Sequence, residues 1–141
     1  MTSMLEDPSY LMRWKIRMGD TAAVRNLIKA DQADPLQPSE TVRGWAPLHI
    51  ACWGTLKPQA DKDIVEALLM WAQKKGKAKE DEIRAMADSE GLTALDLAKQ
   101  RREIVAAQAP AANADEGGAG LEEKRKYDKI IEWLEKGLPA Q

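Results

Sequence analysis

The stretch Gly44-Trp45-Ala46-Pro47-Leu48-His49-Ile50-Ala51 decides how this chain is read, because it returns as Gly91-Leu92-Thr93-Ala94-Leu95-Asp96-Leu97-Ala98, without a gap and 47 residues later. Each copy opens on a glycine, which tolerates the positive φ of a tight turn. Each then starts a short helix. In the second copy Thr93 is the N-cap and Asp96 stands three residues on, a capping-box pattern that satisfies free backbone N–H groups. In the first, Pro47 takes the opening helical position, where its missing N–H costs nothing. Leu48, Ala51 and Cys52 recur at helical spacing, as do Leu95 and Ala98. The small Ala51 and Ala98 permit close approach of a neighbouring helix.

A second amphipathic stretch follows each copy. Residues 61–73 place Ile64, Val65, Leu68, Leu69 and Ala72 on one face, and residues 121–136 do the same with Tyr127, Ile130, Ile131 and Leu134. Gly137 stands in C-cap position. Upstream, residues 10–18 and 21–30 form another pair, with Gly19 ending one helix and Asp20 capping the next. Three helix pairs are expected.

These motifs carry a family resemblance. Ala46-Pro47-Leu48-His49-Ile50-Ala51 resembles the Thr-Pro-Leu-His-x-Ala signature of ankyrin repeats. Asp88-Ser89-Glu90-Gly91-Leu92-Thr93 resembles the turn before it. Ile64-Val65-Glu66-Ala67-Leu68-Leu69 is similar to the second-helix consensus, and Ala33-Asp34-Pro35 to the exit loop. The resemblance implies an all-α fold: a solenoid of about three helix-turn-helix units with short turn or hairpin connections. Repeat one spans about 10–43, repeat two 44–87 and repeat three 88–137, in a single domain over 1–141. The usual period is about 33 residues. The 47-residue offset therefore implies insertions, which fall between Gly54 and Asp61 and between Gln73 and Asp88; the latter includes an extra helical turn at 79–86. A larger one, 103–120, has too little bulky apolar content for a core and reads as a flexible loop, its first residues extending the preceding helix. Ala46 and Asp96 break the family's Thr/His pairing, so no repeat has both members.

Composition narrows the function classes. The formal net charge is −2, with no global basic field of the kind that draws nucleic acid. The lysines at 74–79 and 124–129 are interrupted or flanked by acids, and 74–79 reads as a solvated linker. No apolar run approaches the roughly 20 residues needed to span a bilayer. Residues 1–10 lack the charged-then-apolar pattern of a signal. With one cysteine no intrachain disulfide forms. The expectation is a cytoplasmic or nuclear protein, monomeric when free, without nucleic-acid or membrane partners.

Catalytic readings are weak. His49 and Cys52 form an i, i+3 pair, but no further His or Cys completes a metal site of about four ligands. In the family His49 occupies the turn-bracing position and Cys52 a small buried one. Asp61/Asp63 and Glu122/Glu123 read as N-terminal charge that complements the helix dipole. Gly117-Gly118-Ala119-Gly120 lacks the Lys-Ser/Thr of a phosphate loop. Neither enzyme activity, cofactor nor metal is expected.

The resemblance implies a protein-interaction module that binds a partner protein through its concave groove and turn tips. By alignment the contact positions are Arg43, Trp45, Trp53, Ser89, Glu90, Leu92, Gln100 and Arg101, with tryptophan and arginine prominent as in binding hot spots. Trp45→Ala and Trp53→Ala are then expected to lower affinity with little loss of stability. Trp71 and Trp133 read as core or core edge, and Trp14 is left open between core and surface. Arg13, Lys15 and Arg17 suit an outward-facing cap. The alternative is a structural subunit or segment that completes a larger assembly.

Overall fold

A computed structural model describes residues 7–39, 43–57, 60–108 and 118–139. They are all-helical: α1 (Pro8–Met18), α2 (Thr21–Ala30), α3 (Pro47–Trp53), α4 (Asp61–Lys75), α5 (Lys77–Ala85), α6 (Ala94–Gln108) and α7 (Gly118–Lys136). Regular strands are absent among these residues; a single bridge pairs Ala87 with Thr93 across a turn.

The helix ends follow from local chemistry. Asp7 caps α1 by accepting the Ser9 N–H, and Pro8 opens the helix. Gly19, at φ +76°, closes it by donating to the Ile16 carbonyl, while Asp20 N–H reaches the Lys15 carbonyl. The Asp20 carboxylate then accepts from Ala23 N–H and starts α2. At α6 the capping box is reciprocal: Thr93 N–H donates to Asp96, and Asp96 N–H to the Thr93 hydroxyl.

The helices associate in pairs: α1 with α2, α3 with α4, and α6 with α7. First helices pack on first helices (α1 on α3, α3 on α6) and second on second (α2 on α4, α4 on α7). The result is two layers with the core between them. Ile64, Val65, Leu68, Leu69 and Ala72 of α4 are all fully buried, as their spacing predicts. Each of the larger ones contributes about 1.5–3 kcal/mol relative to exposure. Met12, Ile16, Val24, Leu48, Leu97, Tyr127 and Ile130 complete this core. Trp133 is buried and Trp71 half-buried against the core, whereas Trp14 is 48% exposed. Leu95, equivalent to the buried Leu48, is only half-buried, because α6 is the last described helix of its layer.

The insertion between Gln73 and Asp88 is more ordered than the sequence indicates. The extra turn expected at 79–86 is a nine-residue helix, α5, which packs on α4 and α6 through buried Ile83. Its Arg84 donates to the Leu134 carbonyl, and Gln73 of α4 donates to the Leu138 carbonyl. Both serve carbonyls at or just beyond the end of α7, where a helix has no internal donors. The loop expected over 103–120 is corrected at its far end, while at its near end the preceding helix extends as expected. Residues 103–108 belong to α6 and bury Val105, and α7 begins at Gly118. The reading of 109–117 as a loop lies outside the described residues, as do the side chains of Glu122 and Glu123.

Candidate functional site

Two neighbouring turns organise the molecule's first-helix side. In the later one the carboxylate of Asp88 folds the chain back on itself, accepting from Glu90 and Leu92 N–H at Oδ1. Its other oxygen accepts the indole N–H of Trp45 at 2.9 Å. Burial pushes the Asp88 carboxyl up, but the backbone donors of Leu92 and Glu90, the Trp45 indole and nearby His49 outweigh it and hold it below the usual range.

His49 makes a second tie. Its Nδ1 accepts Ala46 N–H at 3.1 Å, which places the ring proton on Nε2, and that nitrogen donates to the Leu92 carbonyl at 3.2 Å. Burial lowers its pKa and prevails over the Leu92 bond, the Asp88 charge and the Met86 carbonyl, which raise it. Ser89 adds a third tie, donating both its N–H and hydroxyl to the Arg43 carbonyl. Gly44, at φ +69°, is needed where the Ser89 backbone crowds it, since a Cβ there would lie 3.1 Å from the Ser89 nitrogen.

A third polar centre joins the second layer. Asp61, 1% exposed, accepts Thr55 N–H and hydroxyl at Oδ1 and the Tyr127 hydroxyl at Oδ2. Lys126 lies 3.7 Å away. Asp61 thus does more than offset the α4 dipole: it bridges α4 to α7. Burial, with the Asp61 charge and hydrogen bond behind it, pushes the Tyr127 phenol up, against Arg101. Cys52 is fully buried, and burial followed by the Asp61 charge pushes its thiol up, away from the nucleophilic thiolate.

Between α1, α3 and the turn at 43–46 lies an open cleft of about 550 Å³. From α1 come Tyr10, Arg13, Trp14 and Arg17; from the connecting segments Ser39, Arg43 and Trp45; and from α3 Ile50 and Trp53. The Trp45 and Trp53 rings meet at 6.0 Å between centroids, tilted by 55°. The Arg43 guanidinium lies 5.7 Å from the Trp45 ring centroid. Arg13 lies 5.9 Å from the Tyr10 centroid and donates from Nη1 to the backbone and side-chain oxygens of Gln37.

The eight residues expected at the contact surface divide. Arg43, Trp45 and Trp53 converge on this cleft, whereas Ser89, Glu90 and Leu92 form the next turn, with Ser89 and Glu90 exposed. Gln100 is exposed on α6, outside the cleft. Two need correction. Trp45 is only 7% exposed and its N–H is spent on Asp88, so its removal disturbs the core and the expectation of unchanged stability fails. Arg101 is half-buried: its Nε is out of solvent, 3.2 Å from where a Cβ on Gly54 would sit and near the Tyr127 hydroxyl. The residues that sequence reasoning missed are Tyr10, Arg13, Trp14, Arg17, Ser39 and Ile50. Tyr10, Arg13, Trp14 and Arg17 follow i, i+3, i+4, i+7 spacing, opposite the buried stripe of Met12 and Ile16. That second stripe was available in the sequence.

Among the described residues, no cluster of three or more His, Cys, Asp or Glu is placed to hold a metal ion. No described helix is long and apolar enough to cross a membrane. Compared with protein-family models, curated proteins and solved structures, the chain matches none.

Proposed function

We propose that this chain is an ankyrin-like protein-interaction module that holds a segment of a partner protein in the cleft between α1 and α3. One observation carries the reading: an indole that is 48% exposed, Trp14, stands over a cleft with a second, half-buried indole, Trp53, and none of the described residues fills it. Exposed aromatic surface gathered in a concavity marks an interaction site more often than an isolated exposed apolar residue does. The frame beneath it is braced by Trp45–Asp88 and His49–Leu92, so little ordering cost falls on docking. The two-layer pairing of helices and the bonded turns support the ankyrin-like reading.

The test is affinity capture from native lysate on the wild-type chain and on Trp14→Ala/Trp53→Ala, followed by titration of the purified captured protein. The wild type is expected to bind at least about tenfold more tightly, since hot-spot truncations of this type cost 2 kcal/mol or more. Thermal melts need to show that the variant remains folded. Equal binding by both chains would remove the cleft from the reading.

A further inference from the structure

We infer that the segment the cleft accepts is an acidic peptide, one that sets carboxylates against Arg17 and Arg43 and an apolar side chain against Trp14 and Trp53. This rests on the proposed function and specifies its ligand chemistry.

Charge carries the argument. Three guanidinium groups, Arg13, Arg17 and Arg43, line one cleft, and no Asp or Glu among the described residues lines it with them. None of the three is ion-paired with a described carboxylate. Elsewhere Arg84 pairs with Asp81 and Arg102 with Asp128, while Arg25, Arg101 and Arg125 make no ion pair with a described carboxylate, so the cleft is set apart by the gathering of its cations and not by their lack of pairing. Two other concavities hold acids among their basic residues. The one between α2 and α4 sets Asp31 and Glu66 among its basic residues, with Lys75 already 3.6 Å from Asp31. The one on α7 alternates Asp128, Glu132 and Glu135 with Arg125, Lys129 and Lys136. A net charge of −2 overall makes a single-sign cleft stand out further.

Geometry adds selectivity. Arg43 lies close to the Trp45 ring and Arg13 is held by Gln37, so two of the three cations have defined positions before any ligand arrives. Planar guanidinium forks match carboxylates in bidentate fashion. Nucleic acid is a poorer fit, because three arginines gathered in one cleft give no extended basic track for successive phosphates.

A random peptide library displayed and selected on the full chain at low salt tests this. Selected peptides are expected to be enriched in Asp and Glu beside an apolar residue. Their affinity is expected to fall at least about fivefold in Arg17→Gln, further in Arg17→Gln/Arg43→Gln, and again as salt is added. Arg17 is exposed and makes no ion pair with a described carboxylate, so the single variant tests the idea even where the double variant unfolds. Cleft binders without an acidic bias, lost in Trp14→Ala but indifferent to Arg17→Gln, would overturn this inference and leave the proposed function standing. Selected peptides indifferent to every cleft substitution would remove both. Tighter arginine-dependent binding of a single-stranded oligonucleotide or of phosphatidylserine vesicles would also overturn it.

Discussion

Replacing Trp45 by phenylalanine separates the two roles this residue plays. The ring remains in the core beside Trp53, while the N–H that reaches Asp88 Oδ2 at 2.9 Å is lost. A hydrogen bond to a charged acceptor is worth about 1.5–3 kcal/mol, and here its loss strands a carboxylate oxygen on a residue only 8% exposed. The expected cost is therefore about 1.5–3 kcal/mol. Trp45→Ala adds a cavity and is expected to cost about 3–5 kcal/mol or more, which obscures the polar part. Equilibrium urea unfolding followed by far-UV circular dichroism measures both, at roughly 4 °C of melting temperature per kcal/mol in a parallel scan. In an Asp88→Ala background the Trp45→Phe penalty is expected to fall by at least about 1 kcal/mol, the coupling of two groups in contact. A penalty below about 0.5 kcal/mol, or one that is the same in both backgrounds, refutes the claim that this bond ties the second and third helix pairs together.

Lowering the pH is expected to destabilise the chain from about pH 6.5 downward, because the unfolded His49 takes up a proton that the folded, buried ring resists. Asp88, held below its ordinary range, extends the loss at pH values below about 4, where the unfolded carboxyl protonates first. An unchanged urea midpoint between about pH 7 and pH 5 would contradict the His49 assignment. Tyr127→Phe deprives Asp61 of a buried donor and is expected to cost about 1–3 kcal/mol, measured by the same unfolding assay. Cys52 in the native chain is expected to react with a thiol reagent at least about a hundredfold more slowly than in denaturant; equal rates would show that the α3 core is open.

The sequence disclosed the helices more fully than the surface. The glycine-led octapeptides, the Thr93/Asp96 box and the α4 stripe all depend on near neighbours, and local spacing specifies them. Trp45 was misjudged because its decisive partner, Asp88, is 43 residues away and no periodicity links the two. Arg101 was misjudged for the same reason, its environment being set by Gly54 just after α3 and by Tyr127 of α7. Half of the residues at 76–87 are charged, and the single buried apolar side chain there, Ile83, gives too faint a pattern to announce a whole helix. On α1 the signal was present but divided: Met12 and Ile16 face the core, while Tyr10, Arg13, Trp14 and Arg17 face the cleft.

The joints between helix pairs are unequal. The second and third pairs share Trp45–Asp88, His49–Leu92, Ser89–Arg43 and Asp61–Tyr127, with Arg84 and Gln73 clasping the tail of α7. Among the described residues the first pair meets the second through α1 on α3 and α2 on α4, with a backbone bond from Leu56 N–H to the Arg17 carbonyl and the exposed Lys75–Asp31 ion pair. Fraying should therefore begin at α1 and α2, and the cleft straddles that looser seam. An occupant at a hundred times its dissociation constant would add about 2.7 kcal/mol against such opening, so that filling the cleft also splints the hinge on which it is built.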